Sequence, residues 1–501
     1  MPPNLALFLW FVLLIALFRN DPGKDKESST ALWLPLIWLF LLGSRLPSQW
    51  YGGYSGAAAD VYLEGSPLDR AIFLALAFAA LAVLLSRAFR WGEFFASNVG
   101  LVVFLCIALV SVAWSDYPFV ALKRWVRDVS GYLTLMVVLT ERNVVAAVLT
   151  LLRRLAFLLV PLSIVFVKYF QDLGRTYEAW SGNTAYQGVA TSKNMLGVLC
   201  LMSALYFFWD LLARFPQRRD KLMRRAILVD IAFLGMTVWL MTRARSATSG
   251  LCVVLGIAMI VAGQSNWSRR HPVAFRMAAP ALICLYLVLE TAFGINAVIA
   301  GGVGRDPTLT DRTDVWKLLL SMDTNPLVGT GYESFWLGPR LDVVWAKYAG
   351  LNHAHNGYIE TYLNLGLLGL VTLVAWLVTS YGKICRTLTE HSTFASLSVA
   401  VWTILLFYNI TEAAFKPTLL WAAFVLTTFV ANAAQKMPAA RPAAVRPRFR
   451  PRTQPASRWG SVSPAVARSV ATTTGQQRRP SDRKEALQST PRPGRWSGRG
   501  R

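Results

Sequence analysis

The sequence predicts an all-α polytopic integral membrane protein: about twelve to thirteen transmembrane helices, a long outer loop carrying short helices, and a disordered C-terminal tail. Three observations predict it. Of 501 residues, 54% are hydrophobic and only 16% charged, where a soluble chain carries roughly 25% charged residues. The mean hydropathy is +0.41. Apolar runs long enough to cross about 30 Å of hydrocarbon recur along most of the chain.

In chain order, the runs lie near 5–18, 31–46, 69–86, 98–114, 129–141, 153–170, 195–213, 226–242, 247–263, 274–299, 357–381, 394–410 and 417–434. The first is short enough for a signal peptide. Its leader Met-Pro-Pro-Asn carries no positive charge and no A-x-A-like site follows, so it reads as a retained span. Lys and Arg collect in one alternate set of connections: Arg87 and Arg90, Arg142 with Arg153 and Arg154, the run 214–225, Arg269 with Arg270, and Lys383 with Arg386. The positive-inside rule puts that set in the cytoplasm. Connections 44–68, 115–128, 171–194 and 301–352 then lie outside.

The formal net charge of +24 divides unevenly. Sixteen Lys and Arg residues, against Asp482 and Glu485 alone, lie beyond residue 434. That tail is rich in Arg, Pro, Ser, Thr and Gln and poor in aliphatics, so it cannot bury enough apolar area to offset ordering entropy. It reads as a cytoplasmic segment drawn to anionic lipid or to another assembly component. No fold that reads nucleic acid accompanies it, so a nucleic-acid partner is not expected. The five cysteines all fall in or at the edge of apolar runs with no CxxC spacing, which disfavours structural zinc and disulfides. The chain thus divides into an N-terminal bundle (1–300), a loop (301–352), C-terminal helices (353–434) and the tail (435–501).

The 301–352 loop is far longer than most inter-helix connections. Val315, Trp316, Leu319, Leu320 and Met322 give a short helix one apolar face, and Asn325-Pro-Leu-Val-Gly-Thr-Gly331 supplies turn chemistry. At its end stand two of the four histidines, His353 and His355. On a helix, residues two apart point nearly opposite ways, and no cysteine or carboxylate cluster accompanies them, so no metal is expected. An imidazole with a pKa near 6.5 suits a general base instead. Asn356, Glu360 and Asn364 follow at helical spacing, a polar face on a helix entering the membrane. Such a face either caps and cross-links helices or lines a cavity.

His355-Asn356, nine residues and Gly366-Leu-Leu-Gly369 resemble the H-[NSQ]-x9-G-x-x-G motif of the O-antigen ligase-like superfamily. The motif's trailing Thr-Glu is replaced by Leu370-Val371. Asp311-Arg-Thr-Asp-Val-Trp316, Gly329-Thr-Gly-Tyr-Glu-Ser-Phe-Trp336, Ala190-Thr-Ser-Lys-Asn-Met-Leu-Gly197 and Ser246-Ala-Thr-Ser249 look like blocks of its exopolysaccharide-polymerase-like members. The likeness extends over roughly residues 60 to 430.

The resemblance implies metal-independent, cofactor-free glycosyl transfer at the periplasmic face of a bacterial inner membrane. It implies a polyprenyl-diphosphate-linked glycan as donor and a hydroxyl of a second glycan, lipid A core or protein as acceptor. It further implies His355 as catalytic base, with His353, Asn356 and Glu360 supporting. Arg312, and less closely Arg245 or Arg243, match the family's diphosphate-binding arginines; Lys193 and the cluster Lys123, Arg124 and Arg127 add positive charge on the same side. A transporter of polysaccharide or lipid-linked glycan is the main alternative, since Lys168, Asp230 and Glu290 lie within apolar runs.

Overall fold

The computed structural model describes residues 1–20, 28–51, 65–177, 182, 184–294, 312–388 and 392–434. The chain divides into two units, 1–440 and 441–501. The second lies outside the described residues, as do the whole 435–501 segment expected to be disordered and the first part of the long loop, 295–311.

The described chain is almost entirely helical. In order come α1 (Pro3–Arg19), α2 (Trp33–Gly43), α3 (Pro67–Ser86), α4 (Val99–Val110), α5 (Pro118–Met136) and α6 (Val144–Tyr169). A small antiparallel hairpin follows, β1 (Arg175–Tyr177) and β2 (Thr184–Tyr186), with Arg175 opposite Tyr186. Then come α7 (Lys193–Arg214), α8 (Lys221–Ala244), α9 (Ala247–Gln264), α10 (Pro272–Phe293), α11 (Arg312–Ser321), α12 (Pro339–Lys347), α13 (Gly357–Arg386), α14 (Ser392–Thr411) and α15 (Leu419–Ala434).

Side-chain caps fix where the apolar helices begin, because an oxygen before the first turn satisfies amides that have no helical partner. Asn143 accepts from the Ala146 amide, Ser192 from Met195, Asp220 from Leu222 and Met223, and Asn356 from Tyr358 and Ile359.

Among the described residues, eight helices are long and apolar enough to cross a membrane, and nine if Trp91–Ser97 and Val99–Trp114, bent by 91°, form one span. Three shorter apolar helices, Pro3–Arg19, Thr30–Gly43 and Leu419–Ala433, account for most of the remaining expected runs. The expected span at 129–141 differs. It is the second half of α5, whose first half, expected as a loop, carries Lys123, Arg124 and Arg127 on a helix. Burial separates an inner set from a lipid-facing one: 83% of the α14 window is buried but only 11% of the α10 window. Phe157, Tyr206, Phe207, Phe424 and Phe429 fill the centre.

From residue 312 on, the long loop is an ordered cap with its own core. Val315, Leu319, Phe335, Trp336, Leu341, Val344, Tyr348 and Ala354 pack around Leu363 of α13. Three indoles pin its segments: Trp316 to the Ala354 carbonyl (2.8 Å), Trp345 to that of Leu351 (2.8 Å) and Trp336 to the Glu360 carboxylate (2.8 Å). Contacts with α5 and the turn before it hold the cap to the bundle. Tyr332 O–H donates to Asp128 (2.7 Å), and Ser334 shares a hydrogen bond with Ser115 (2.7 Å).

The helix α13 is broken at Gly366, which lies at φ +62° and ψ −162°. A break inside an apolar helix leaves carbonyls and amides without partners. Here the 325–331 turn supplies them. Thr330 and Gly331 amides donate to the Leu363 and Asn364 carbonyls (3.1 and 2.9 Å), and the Leu367 and Leu368 amides donate to the Pro326 and Leu327 carbonyls (2.9 and 3.0 Å). A Cβ on Gly366 would stand 2.3 Å from the Leu327 carbonyl carbon. The glycine therefore serves the break and its docked turn, where the G-x-x-G spacing alone reads as close packing of helices.

Candidate functional site

Five helix ends and the cap meet at one end of the bundle: the starts of α7, α9, α11 and α13 and the end of α14. Thr248 and Thr411 hydroxyls share a hydrogen bond between α9 and α14 (2.8 Å). The α13 start fits against α14 because residue 357 is glycine; a Cβ there would lie 2.0 Å from the Asn409 side-chain oxygen. Asn356 adds a second tie, donating to the Ile410 carbonyl (3.0 Å).

Glu412, one residue past the end of α14 and buried, is the node of this junction. Its Oε1 accepts from Arg312 Nη2 (2.9 Å) and from Asn194 Nδ2 (2.9 Å). Its Oε2 stands 3.2 Å from His355 Nδ1. Arg312 also donates to the Thr411 carbonyl. His355 sits at φ +49°, the left-handed region, which costs a non-glycine residue about 1–2 kcal/mol. The Glu412 contact and the neighbouring Asn356 cap hold it there.

These contacts set charges and tautomers. Burial alone would raise the Glu412 carboxyl, but the hydrogen bond from His355 and the charge of Arg312 more than offset it, and its pKa falls below the ordinary carboxylate value. An ionised carboxylate only accepts hydrogen bonds, so His355 Nδ1 carries a proton, and in the neutral ring the lone pair is then on Nε2. A neutral imidazole held that way by a buried carboxylate can take a proton from a hydroxyl.

The two histidines were expected to point apart. Residues 351–356 are not helical, and the His353 and His355 ring centroids lie 4.1 Å apart. Burial, then His355, Lys416 and Arg312, hold the His353 imidazole well below the ordinary histidine range.

The remaining expected residues separate into two groups. Glu360 and Asn364 bind the cap: Glu360 accepts from Trp336 and from the Ala354 amide (2.8 Å each), and Asn364 accepts from the Phe335 amide (3.2 Å). Their polar face is therefore cross-linked to the cap. Lys193 opens α7 beside Asn194. Arg245 closes α8 in the left-handed conformation, at φ +47°. Arg243 stacks on Trp239 (5.4 Å) and Tyr186 (6.0 Å), tied to the hairpin and not to the Glu412 node.

Glu412, Asn194 and Lys416 escaped the sequence reading. The available signal was Asn409-Ile-Thr-Glu412 followed by Lys416, ionisable groups placed where an apolar run ends. Lys416 lines a narrow pocket with Phe104, Tyr332, Glu333, Glu360 and Asn364. Glu333 also lines a cavity of about 490 Å³ between α3 and α5, together with Phe73, Leu74, Val120 and Val126 and the charged Asp69, Arg70, Lys123 and Arg127.

Comparison with known proteins covers part of this junction. Residues 231–374 match the family model described as O-antigen ligase. That segment holds Arg243, Arg245, Arg312, His353, His355 and Asn356, and stops short of Glu412. The chain is also 27% identical over 315 residues to the exopolysaccharide production protein ExoQ of Rhizobium meliloti (strain 1021), covering 59% of this chain and 67% of the relative. The matched segment is similar to the O-antigen ligase family, and the longer alignment to an exopolysaccharide production protein points the same way.

Proposed function

We propose that this membrane protein of polysaccharide biosynthesis is a metal-independent glycosyltransferase. It moves a glycan from a polyprenyl-diphosphate carrier to an acceptor hydroxyl, on a second glycan or a lipid A core, at the periplasmic face of the inner membrane. His355 Nε2 takes the acceptor proton as the acceptor oxygen bonds to the anomeric carbon. The bond from that carbon to the carrier phosphate breaks, and its electron pair leaves with the diphosphate. Glu412 holds the His355 tautomer and stabilises the imidazolium that forms.

Cations answer the charge that develops on the leaving diphosphate. Arg312 already spends two nitrogens on Glu412 and Thr411, so it positions the base as well as offering charge. Lys416 and Lys193 add positive potential, and Arg243 and Arg245 flank the same end. The cavity between α3 and α5, largely apolar with Arg70, Lys123, Arg124 and Arg127 in its lining, suits a lipid-linked anion.

The observation that carries this reading is the shared carboxylate: His355 on one Glu412 oxygen, Arg312 and Asn194 on the other. Lipid-linked glycan turnover in reconstituted membranes, with a metal chelator present, tests it. Loss of a general base costs roughly 10²–10⁴ in rate, so His355→Ala abolishes detectable transfer while His353→Ala keeps a measurable fraction. Normal transfer by His355→Ala, or loss of wild-type transfer on chelation alone, overturns the reading. Mass analysis of glycans from cells lacking the protein separates polymerase from ligase: shortened chains mark the first, intact polymer left on its carrier the second.

A further inference from the structure

The base needs one imidazole and one carboxylate, yet the junction holds a second imidazole with no part in that pair. The donor atoms of His353, His355 and Glu412 all lie within 4.8 Å of one another. Two of the three are also held from behind by a second contact. His353 Nδ1 lies 2.7 Å from the Asn352 side-chain oxygen, so Nδ1 is the donor and Nε2 carries the lone pair. Glu412 Oε1 is occupied by Arg312 and Asn194, which leaves Oε2 facing His355. Metal-binding histidines and carboxylates are typically oriented by outer partners of this kind.

We infer that His353, His355 and Glu412 form a capture site for a zinc-class divalent cation whose binding switches the base off. Two imidazole nitrogens and one carboxylate oxygen suit Zn²⁺, and suit Mg²⁺ or Ca²⁺ poorly, since those prefer oxygen ligands. Tetrahedral zinc at its usual bond lengths separates neighbouring ligand atoms by about 3.3 Å. Nδ1 of His355 and Oε2 of Glu412 already stand 3.2 Å apart, so rotation of the half-buried His353 ring completes the set. A water fills the fourth position. The off-switch follows from valence: a neutral imidazole has one lone pair, and a cation on either nitrogen leaves none for a hydroxyl proton. Arg312 and Lys416 oppose a second cation and keep capture reversible.

Capture itself is independent of the proposed reaction; the off-switch rests on His355 being its base. The test uses the full chain in detergent, free of any affinity tag and stripped with chelator, titrated with Zn²⁺ against a fluorescent zinc indicator. The expected result is one zinc per chain, undisturbed by excess Mg²⁺. His353→Gln binds roughly 10–100-fold more weakly, at least the loss that removing an outer partner causes. Co²⁺ in the wild type gives visible d–d bands of a low-symmetry nitrogen–oxygen site, a reading that stands even if the variant misfolds. Equal zinc binding by wild type and a well-folded His353→Gln, or Co²⁺ bound without such bands, overturns the site.

Transfer is then measured across the same zinc range. Inhibition whose midpoint matches binding, and moves upward in His353→Gln by the same factor, supports the switch; unchanged transfer at full occupancy overturns it. If no transfer occurs at any zinc level, the glycosyltransferase reading fails, and the titration still decides the site.

Discussion

Replacing Glu412 with glutamine changes one carboxylate oxygen to an amide nitrogen and almost nothing else in volume. The remaining oxygen can face only one side of the junction. On one side stand Arg312 and Asn194, both at 2.9 Å; on the other stands His355 Nδ1 at 3.2 Å. A hydrogen bond to a charged group is worth about 1.5–3 kcal/mol and a neutral one about 0.5–1.5 kcal/mol. Facing Arg312 is therefore favoured by about 1–1.5 kcal/mol, a factor of roughly 5–13. The amide then donates to His355 Nδ1, which must give up its proton. The proton moves to Nε2, and the base is lost with the ring still in place. Turnover of a lipid-linked glycan in reconstituted membranes by Glu412→Gln falls roughly 10²–10⁴-fold, the worth of a general base. Insertion and thermal stability change much less. Turnover within about threefold of wild type, in a variant whose insertion is normal, refutes the tautomer argument.

Arg312→Lys keeps the charge and loses the planar fork that reaches Glu412 and the Thr411 carbonyl together. It lowers turnover while leaving insertion intact, and Arg312→Ala, which leaves a buried carboxylate unpaired, costs about 3–5 kcal/mol in stability; wild-type turnover in Arg312→Ala sinks the assignment. Gly366→Ala places a methyl against the Leu327 backbone at a left-handed φ, so the 325–331 turn is displaced and thermal unfolding of detergent-solubilised protein shifts downward; an unchanged melting temperature contradicts the docked-turn account. Acid weakens the cap. Because folded His353 titrates below the unfolded value of about 6.5, the unfolded chain takes up a proton that the folded site refuses. Stability from this term is full above about pH 6.5 and lost as pH falls toward the folded value. Proteolysis within 312–356 therefore rises between pH 7.5 and 5, and His353→Gln flattens that rise; identical pH profiles for the two proteins would falsify it.

The sequence signals that proved legible were those carried by periodicity and by local chemistry. Apolar length located most of the helices, and of the polar face Asn356, Glu360 and Asn364, left open between capping and lining a cavity, Asn356 caps α13. The face Val315, Trp316, Leu319, Leu320 and Met322 pointed to an ordered loop; the cap core is built on four of these, while Leu320 is exposed. What stayed hidden depends on contacts far apart in the chain. Arg312 and Glu412 are separated by 100 residues, and no spacing rule links a loop arginine to the end of the fourteenth helix. The two histidines were misjudged because helical geometry was extended to 351–356, where the chain turns. The amphipathic start of α5 was read as loop because Lys123, Arg124 and Arg127 lower its hydropathy, although one face still packs.

The break at Gly366 and the shared carboxylate at Glu412 are coupled through α13. Unbroken, that helix would satisfy the Leu363 and Asn364 carbonyls from its own next turn. The 325–331 turn would then have no amides to trade, and the cap would lose the backbone ties that Leu363 and Asn364 provide. Phe335 and Trp336 follow that turn directly and contact Asn364 and Glu360. Glu360 in turn holds the Ala354 amide, one residue before His355. A chain of fixed bonds thus runs from the break to the strained histidine. Glycine at 366 fixes the turn, the turn fixes Trp336, and Glu360 carries that order to the segment that must hold His355 at φ +49°. The nine residues between His355-Asn356 and Gly366 are then about two and a half turns of helix of set length, which carry the two ends of the motif to the two ends of one cap.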